Sequence, residues 1–572
     1  MEIYLFTAGA LLVERVEAEK ARDMLRERRW RLLDMKKLTA LAMAAAMAAT
    51  LVPAAVFAED GETKSVRIGA PYDPVTLDYA ELNADPATYI DMMVADTLIR
   101  DKQGEYIGGI AESWEVSEDG KTWTFKLKEG MTYNDGTTPV TAEDLVYAAK
   151  RLMDPAVGHY NAEGGYILLN GEEYYSGECA WEEVGVKQID DLTIEYTFKN
   201  PQYESTFTST TLFAPLEEAF VEAQGASYGS ATDKLLTNGP FIMTEWVPDS
   251  SVKLTKNANY WDAESIKMDE INFIIGATSD TGVDMMLADE LDFCPVGSDM
   301  QNQTLEDAGF SRFTYIGTYR CINLNHGGKT EESGLFLGNT NFRKALCYAI
   351  DRTSLCNSVL TGDEPTTRLT APSEMGVEKA FNEEFPYEGW PATADPEKAK
   401  EYLNLALEEL GKTIEDVPAI DLLCYEAQGS IDTLAAIQDM LKTNLGIEST
   451  INPQTIQVMI SSAMSGDYDL WFGGNELSIP DALESFLSSY HSSMASALRN
   501  YANPEYDELY DKALASPTLA ERKANYFEVE KFFCDNVMNL VIGWTENGYN
   551  YKEGYTGFYN TVETDFTYLD VE

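Results

Sequence analysis

One pentapeptide in the sequence has the residue types and the spacing of a hydrolase nucleophile. Gly225-Ala226-Ser227-Tyr228-Gly229 matches the Gly-x-Ser-x-Gly pattern, in which a serine at a sharp turn attacks a carbonyl carbon. That turn must follow a β-strand, whereas residues 215–224 are polar and Glu-rich and predict a helix. The context is therefore wrong for a nucleophile, and a secreted serine hydrolase is kept only as the alternative from the enzyme class.

Histidine could supply metal or acid–base chemistry, but the chain has only His159, His326 and His491. There is no HExxH sequence, no paired His and Cys cluster and no phosphate-binding Gly-rich loop. Catalytic metal and nucleotide chemistry therefore lack the residues that they need. We expect no cofactor and no resident metal ion, and capture of a nickel complex stays open as an alternative.

The seven cysteines show no Cys-x-x-Cys pair and no regular spacing; they are at positions 179, 294, 321, 347, 356, 424 and 534. Their odd number leaves at least one thiol free. Cys347 and Cys356 belong to one predicted helical pattern, in which 1.5 Å per residue separates them by ~13 Å along the axis. These two cysteines should therefore not form a disulfide with each other.

A secretory signal peptide begins at Met35. Two lysines are followed by an apolar run over residues 38–52, and Val56-Phe57-Ala58 places small residues where signal peptidase cleaves. The run is shorter than the ~20 residues that span a bilayer. We expect cleavage after Ala58 and an exported protein. No cysteine lies next to Ala58, so the lipid-anchored route is not expected, and residues 1–34 are interpreted as a mis-assigned upstream extension.

The mature chain, residues 59–572, is large and strongly acidic. Its 33 basic and 89 acidic side chains give a formal net charge of −56. Such a surface repels phosphate backbones and anionic lipid, so nucleic acid is not an expected partner. The length exceeds one ordinary core and suits two or three packed lobes.

Strand and helix patterns alternate along the mature chain and predict mixed α/β lobes. A strand is predicted at Ser65 to Gly69, a half-buried antiparallel strand at Thr122 to Lys128, and a helix capped by Thr141. A second helix is capped by Asp395 and ends at Gly411. Further along, Ile420 to Tyr425 begins a strand-helix-strand crossover, with its second strand after Gly446.

Four sequence blocks together resemble the family 5 extracellular solute-binding proteins that serve peptide, nickel and related importers. The blocks are Gly109-Ile110-Ala111-Glu112-Ser113-Trp114 with the Asp119 to Phe125 and Thr141 to Asp144 segments; Asn238-Gly239-Pro240-Phe241 with Asn257 to Asp262; Phe342-Arg343-Lys344-Ala345-Leu346 with Ala349 to Arg352; and Tyr501 to Asp507. The long segment between Asp154 and Leu192 is similar to the oligopeptide-binding branch.

The resemblance implies a type II periplasmic-binding-protein-like fold, with two α/β lobes around a cleft and an extra inserted domain. Lobe I is expected from residues 59–98, 196–317 and 541–572, the inserted domain from 99–195, and lobe II from 318–540. The lobes are expected to close on the ligand by hinge motion. The boundaries rest on the resemblance, because composition gives no linker.

The implied function is capture of oligopeptides and their delivery to the permease subunits of an ABC importer, by a monomer without catalytic activity. Binders of an opine, an oligosaccharide or a nickel complex remain alternatives, as does a receptor that signals. Peptide binders of the family grip the ligand main chain by strand-like hydrogen bonds and leave its side chains in watery pockets.

The resemblance also implies four ligand-binding residues. Family members carry a Trp-x-Ala-Asp motif whose Asp meets the α-ammonium of the peptide, and here the stretch is Gly473-Gly474-Asn475-Glu476. Glu476 falls at the acid position, with a solvated surface acid as its alternative role, and Asn475 replaces Ala, while Gly473 replaces Trp. Trp471, two positions earlier, is expected to compensate in part. Trp544 matches an aromatic position that faces the site, with core packing as its alternative role.

Overall fold

The computed structural model describes residues 63–81, 85–102, 104–360, 362–372, 374–377, 379–476, 486–495, 500–560 and 564–571. The predicted signal peptide and upstream extension lie outside this part of the chain. The strands are β1 (Ser65–Ala70), β2 (Ile99–Lys102), β3 (Glu105–Gly108), β4 (Ala111–Val116), β5 (Thr122–Leu127), β6 (Val186–Asp190), β7 (Thr193–Thr197), β8 (Phe241–Val247), β9 (Ser251–Lys256), β10 (Glu270–Ile275), β11 (Phe293–Pro295), β12 (Ser311–Leu324), β13 (Asp363–Pro365), β14 (Ile420–Tyr425), β15 (Ser449–Gln454), β16 (Leu470–Glu476), β17 (Leu540–Tyr551), β18 (Tyr555–Thr556), β19 (Tyr559–Asn560), β20 (Thr564–Asp565) and β21 (Asp570–Val571).

Helices connect these strands and cover their faces. They are α1 (Asp85–Val94), α2 (Ala142–Leu152), α3 (Gly171–Tyr175), α4 (Thr210–Phe213), α5 (Glu218–Gln224), α6 (Ser279–Leu287), α7 (Asp299–Asp307), α8 (Glu331–Leu337), α9 (Thr340–Ala349), α10 (Arg352–Ser358), α11 (Phe381–Glu384), α12 (Pro396–Leu410), α13 (Gln428–Leu445), α14 (Ile456–Met464), α15 (Ser492–Ala495), α16 (Pro504–Leu514) and α17 (Leu519–Asp535). Within the described residues, none of them is long and apolar enough to cross a membrane.

A mixed sheet runs through the molecule in the order β15-β14-β16-β12-β17-β11-β1-β10-β9-β8, and β13 pairs with β17 beside this path. Pairing is parallel between β1 and its neighbours β10 and β11, and between β14 and its neighbours β15 and β16. A second, antiparallel sheet has the order β4-β5-β7-β6. The α/β class with a large sheet is therefore confirmed.

Three hydrophobic clusters form the main cores. One lies between residues 319 and 544, a second combines residues 66–95, 214–293 and 549–569, and a third surrounds Phe125 and Phe207 beside the four-stranded sheet. The antiparallel pair of β12 and β17 joins the first two clusters, because its register runs from Ser311 opposite Tyr551 to Ile322 opposite Leu540. The residue limits of the lobes remain a prediction.

The elements with clear capping and terminating residues are those that the sequence predicted. Strand β5 and helix α2 form where expected, and the backbone N–H of Thr141 donates to the Asp144 carboxylate at 2.8 Å. Helix α12 begins at Pro396 and ends before Gly411, which has a φ of +63°. The strand-helix-strand crossover of β14, α13 and β15 is parallel as predicted.

One helical prediction is wrong. The segment that carries Cys347 and Cys356 was expected to be a single helix, but it forms α9 and α10 with a break at Ile350. Ile350 has an extended backbone, and the Asp351 side chain accepts a hydrogen bond from the N–H of Ser354 to begin α10. All seven cysteines lie among the described residues, and none of them forms a disulfide.

Candidate functional site

A cleft of about 810 Å³ opens along one edge of β17. This edge pairs with β13 at residues 543–545 and with β11 at residues 549–551, and the residues between these two pairings face the opening. The lining residues come from both large hydrophobic clusters and from the loops beside them; they include Pro71, Tyr89, Gly297, Tyr315, Asn357 and Asn547. A concave site of this volume suits a small organic ligand.

Strand β12 places Thr318 and Arg320 in the wall of the cleft. The Nε of Arg320 lies 3.4 Å from a carboxylate oxygen of Asp363, whose other oxygen accepts a hydrogen bond of 2.8 Å from the Thr545 hydroxyl. The Asp363 side chain is 4% exposed, whereas that of Arg320 is 37% exposed. Burial raises the pKa of Asp363, and the Arg320 charge and the Thr545 hydroxyl oppose this rise.

Three further charged groups line the cleft. Arg312 forms an ion pair of 3.1 Å with Glu306. The carboxylates of Glu364 and Glu546 also line the cleft, and neither of them has a hydrogen-bond or ion-pair partner within the described part of the chain. The wall therefore contains Arg320, whose charge Asp363 neutralises in part, and Arg312, which is ion-paired with Glu306. It also contains Glu364 and Glu546, whose carboxylates have no partner among the described residues.

The end of β16 lies against the same wall. Its backbone pairs with β12, with Gly474 opposite Arg320 and Glu476 opposite Thr318. The other edge of β16 pairs with β14 only at Leu470 and Trp471, so within the described residues no strand covers that edge from residue 472 to 476. A strand edge with unpaired N–H and C=O groups is a template for an added extended chain.

Two of the predicted ligand-binding residues have side chains outside the described part of the chain. The backbone register places Glu476 and Asn475 at the end of β16, opposite Thr318 and Tyr319. Thr318 is itself a lining residue of the cleft. The backbone of the predicted acid therefore lies on the strand next to a lining residue, and its place in the site and the role of its carboxylate remain a proposal.

The two predicted tryptophans lie in packed surroundings. Trp471 packs against a small cluster that includes Leu423 and Met459, and its ring is 6.2 Å from that of Tyr468. Trp544 is 3% exposed, and its ring makes an edge contact with Tyr319 at 5.5 Å. Each indole Nε1 is buried without a hydrogen-bond acceptor in the described residues. Their predicted contact with ligand stays a prediction.

The hydrolase pattern lacks the geometry of a nucleophile elbow. Ser227 follows helix α5 and lies in a short 3₁₀ turn, where its hydroxyl donates to the carbonyl of Gln224 at 2.8 Å. The three histidines have separate partners: His159 contacts Glu81, His326 contacts the carbonyl of Met538, and His491 contacts Ser493. Among the described residues, no three His, Cys, Asp or Glu side chains are grouped to hold a metal ion.

Comparison with known proteins identifies the family of this chain. The model of the bacterial extracellular solute-binding proteins, family 5 (middle), matches residues 105–497. The oligopeptide-binding protein OppA of Bacillus subtilis (strain 168) is 29% identical over 444 residues, covering 76% of this chain and 78% of that protein. The dipeptide-binding protein DppE of the same strain is 30% identical over 412 residues, covering 71% of this chain and 72% of that protein.

Solved structures agree with these relatives. The substrate-binding domain of an oligopeptide ABC transporter from Bacillus anthracis str. Ames has a TM-score of 0.72 and 25% identity, and the match covers 89% of this chain and 99% of that one. The family model covers more than half of the chain, and the fold extends the likeness over most of the remainder. The chain therefore belongs to family 5 of the bacterial extracellular solute-binding proteins.

Proposed function

We propose that this protein is the extracytoplasmic substrate-binding component of an ABC importer, which captures oligopeptides in the cleft and delivers them to the permease. The observation that carries the proposal is the edge of β16 from residue 472 to 476, which no strand covers within the described residues, because an extended peptide main chain is the ligand that such an edge can pair. The oligopeptide- and dipeptide-binding names of its relatives support the same class of ligand.

In this proposal the peptide main chain lies along residues 473–476 as an added strand. Glu476 receives the α-ammonium, and ligand side chains extend into the polar cleft, where water fills the remaining space. Asn475, Trp471 and Trp544 belong to the proposed site through the family resemblance. Catalysis is not part of the proposal, since Ser227 lies after a helix and donates its hydroxyl proton to a carbonyl.

The ligand class is tested by mass spectrometry of small molecules released when the purified protein is denatured. We expect intact peptides, and the same peptides should survive prolonged incubation with the native protein. A sugar, an opine or a nickel complex as the released species would replace the peptide proposal. Hydrolysis of added peptides or esters that Ser227→Ala abolishes would instead establish the hydrolase alternative.

The exported form is expected to begin at Glu59, because the basic, apolar and small-residue parts of the signal are complete between Met35 and Ala58. Intact-mass and N-terminal peptide measurements on secreted protein identify the first residue. Deletion of residues 2–34 should leave the secreted mass unchanged. A secreted form that contains any residue before Met35 would contradict this prediction.

Ligand is expected to reduce the radius of gyration of the protein in solution. A ligand that binds the closed arrangement more tightly than the open one shifts the population toward closure. Small-angle scattering of the monomer, with and without a saturating peptide, measures the change. An unchanged radius at saturation would rule out closure, and a doubled scattering mass would show that the protein is not a monomer.

A further inference from the structure

Helix α17 carries a buried arginine that bonds to a distant part of the chain. Arg522 is 4% exposed, and one of its terminal nitrogens donates to the carbonyl of Pro201 at 3.0 Å. Its guanidinium group also lies 5.2 Å from the ring centre of Tyr203, within the range of a cation–π contact. The buried apolar residues of α17 belong to the first hydrophobic cluster, whereas Pro201 and Tyr203 shortly precede Phe207 of the third. Arg522 therefore joins two separate cores.

The Pro201 carbonyl is held in place by the four-stranded sheet. The N–H of Gln202 donates to the carbonyl of Gly120 at 3.0 Å, and the Gln202 side chain accepts from the Thr206 hydroxyl at 2.9 Å. A Cβ added at Gly120 would lie 3.1 Å from the Pro201 Cβ, so the turn between β4 and β5 packs closely against this segment. The acceptor of the Arg522 hydrogen bond is therefore fixed to the sheet.

The third cluster, which contains this sheet, is joined firmly to the second. Helix α2 contributes to both, since Ala148 belongs to the second cluster and Leu145 and Leu152 belong to the third. Arg151 on the same helix donates to the Asp78 carboxylate at 2.8 Å, next to the strand and loop that begin the second cluster. Because one helix packs into both cores, we treat the second and third clusters as one body.

The first cluster is connected to this body through β12 and β17. Their register changes between the pair Ile316 and Glu546 and the pair Thr318 and Thr545, which leaves Gly317 as an extra residue in β12. A bulge interrupts the ladder locally, and glycine adopts more backbone conformations than other residues, so this position suits a hinge. It also lies beside the cleft, because Thr318 is a lining residue.

The Arg522 contact lies outside these hinge strands, so its length changes when the two bodies rotate about the hinge. Arg522 does not line the cleft, and its acceptor is a neutral carbonyl. Separation of the bodies would expose both groups to water and leave no charge buried without a partner, so the contact can form and break repeatedly.

We propose that the contact of Arg522 with Pro201 and Tyr203 is a latch, which stabilises the closed arrangement of the cleft and is released when the cleft opens. The inference rests on the proposed capture of peptides by closure. It gives the four-stranded sheet a part in retaining the ligand, although the latch itself does not touch the ligand.

The probe is the tightest-binding member of an equimolar mixture of free-acid peptides of various lengths, selected by the wild-type protein. Calorimetry and stopped-flow measurements give its affinity and dissociation rate for wild type, Arg522→Met, Tyr203→Leu and the double variant. The matched control is Lys121→Met, because the Lys121 ammonium donates to the Lys199 carbonyl at 2.8 Å and both partners lie on the sheet side. N-acetylated and C-terminally amidated forms of the peptide are measured as well, and thermal unfolding shows which variants are folded.

We expect Arg522→Met to weaken peptide binding by about 5- to 50-fold, since loss of a charge-assisted hydrogen bond lowers the population of the closed state. The dissociation rate should rise by a similar factor. Tyr203→Leu should weaken binding by about two- to tenfold, and the double variant should be little weaker than Arg522→Met because both residues form one contact. Lys121→Met should stay within about twofold of wild type, because it leaves the closing equilibrium unchanged.

The outcomes separate the latch from the proposed function. If wild type binds its peptide and Arg522→Met matches wild type in affinity and dissociation rate, the latch is wrong while peptide capture stands. The modified peptides should be weakened by the same factor as the free one, and a loss confined to one form would make Arg522 a ligand contact and overturn the latch. If wild type retains no peptide from the mixture, the proposed function fails and the latch fails with it. Should Arg522→Met not fold, Tyr203→Leu decides, and wild-type affinity and dissociation rate in that variant would overturn the latch.

Discussion

Glu530→Gln is expected to lower the free energy of unfolding by about 3–5 kcal/mol, the usual cost of breaking a buried ion pair from one side. Glu530 lies on α17 with its side chain fully buried, and its partner Arg368 is 6% exposed. The Arg368 Nε donates to the Glu530 carboxylate at 3.0 Å, and the N–H of Thr370 donates to it at 2.7 Å. Neutral glutamine keeps an oxygen acceptor for Thr370 but leaves the guanidinium charge buried without compensation.

Urea and thermal unfolding of wild type, Glu530→Gln and the double variant Arg368→Met/Glu530→Leu test this prediction. The double variant should recover most of the lost stability, because replacing both charges with apolar groups of similar volume removes the uncompensated charge. A Glu530→Gln protein that unfolds within about 1 kcal/mol of wild type would contradict the argument. Peptide affinity should be unchanged in the folded variant, since neither residue lines the cleft.

Helices and strands that end at local signals could be read from the sequence with accurate limits. Helix α12 shows why. The Asp395 side chain accepts a hydrogen bond from the N–H of Lys398, Pro396 occupies the first turn, and Gly411 adopts the left-handed conformation that ends the helix. Each of these interactions lies within a few residues along the chain, so the sequence contains all of the information that sets the helix.

The break between α9 and α10 combines the local cap by Asp351 with contacts from distant segments, and it was not predicted. The fully buried Arg352 begins α10 and donates to the carbonyls of Val541, at 2.7 Å, and Pro391, at 3.0 Å. These hydrogen bonds satisfy the buried guanidinium of Arg352. Apolar periodicity alone predicts one continuous helix through this residue. The apolar spacing of residues 340–358 carries no sign of either partner.

The candidate site was predicted only in part, for the same physical reason. The block around Glu476 is contiguous and could be matched to a family motif. The surroundings of Arg320, in contrast, are set by Asp363 and Thr545, which lie far away in the sequence. Arg320 is one of two arginines in β12, which also contains Ser311, Thr314, Thr318 and Asn323, so its polarity alone does not single it out. Asp363 comes from a short strand without periodicity, and the pairing of β13 with β17 that places it is a long-range contact.

Glu476→Gln is expected to weaken binding of peptides with a free α-ammonium by roughly 10- to 150-fold. The estimate corresponds to about 1.5–3 kcal/mol, which is typical of a desolvated, hydrogen-bonded ion pair. The backbone register supports the location, since Glu476 lies opposite Thr318, a lining residue of the cleft, and at the end of a strand edge that no strand covers in the described part of the chain. N-acetylated peptides have no α-ammonium and should lose far less affinity.

Calorimetry on wild type and Glu476→Gln, each with the free and the acetylated version of one peptide, completes a double-mutant cycle that isolates this contact. Glu546→Gln is the matched control, because it removes another open carboxylate from the same cleft. If the general negative field of the cleft attracts the ammonium, both variants should weaken free peptides alike. A specific ion pair requires a large coupling energy between Glu476 and the α-ammonium and a small one between Glu546 and the α-ammonium. If Glu476→Gln instead weakens binding of the free and the acetylated peptide equally, Glu476 is a structural or surface acid.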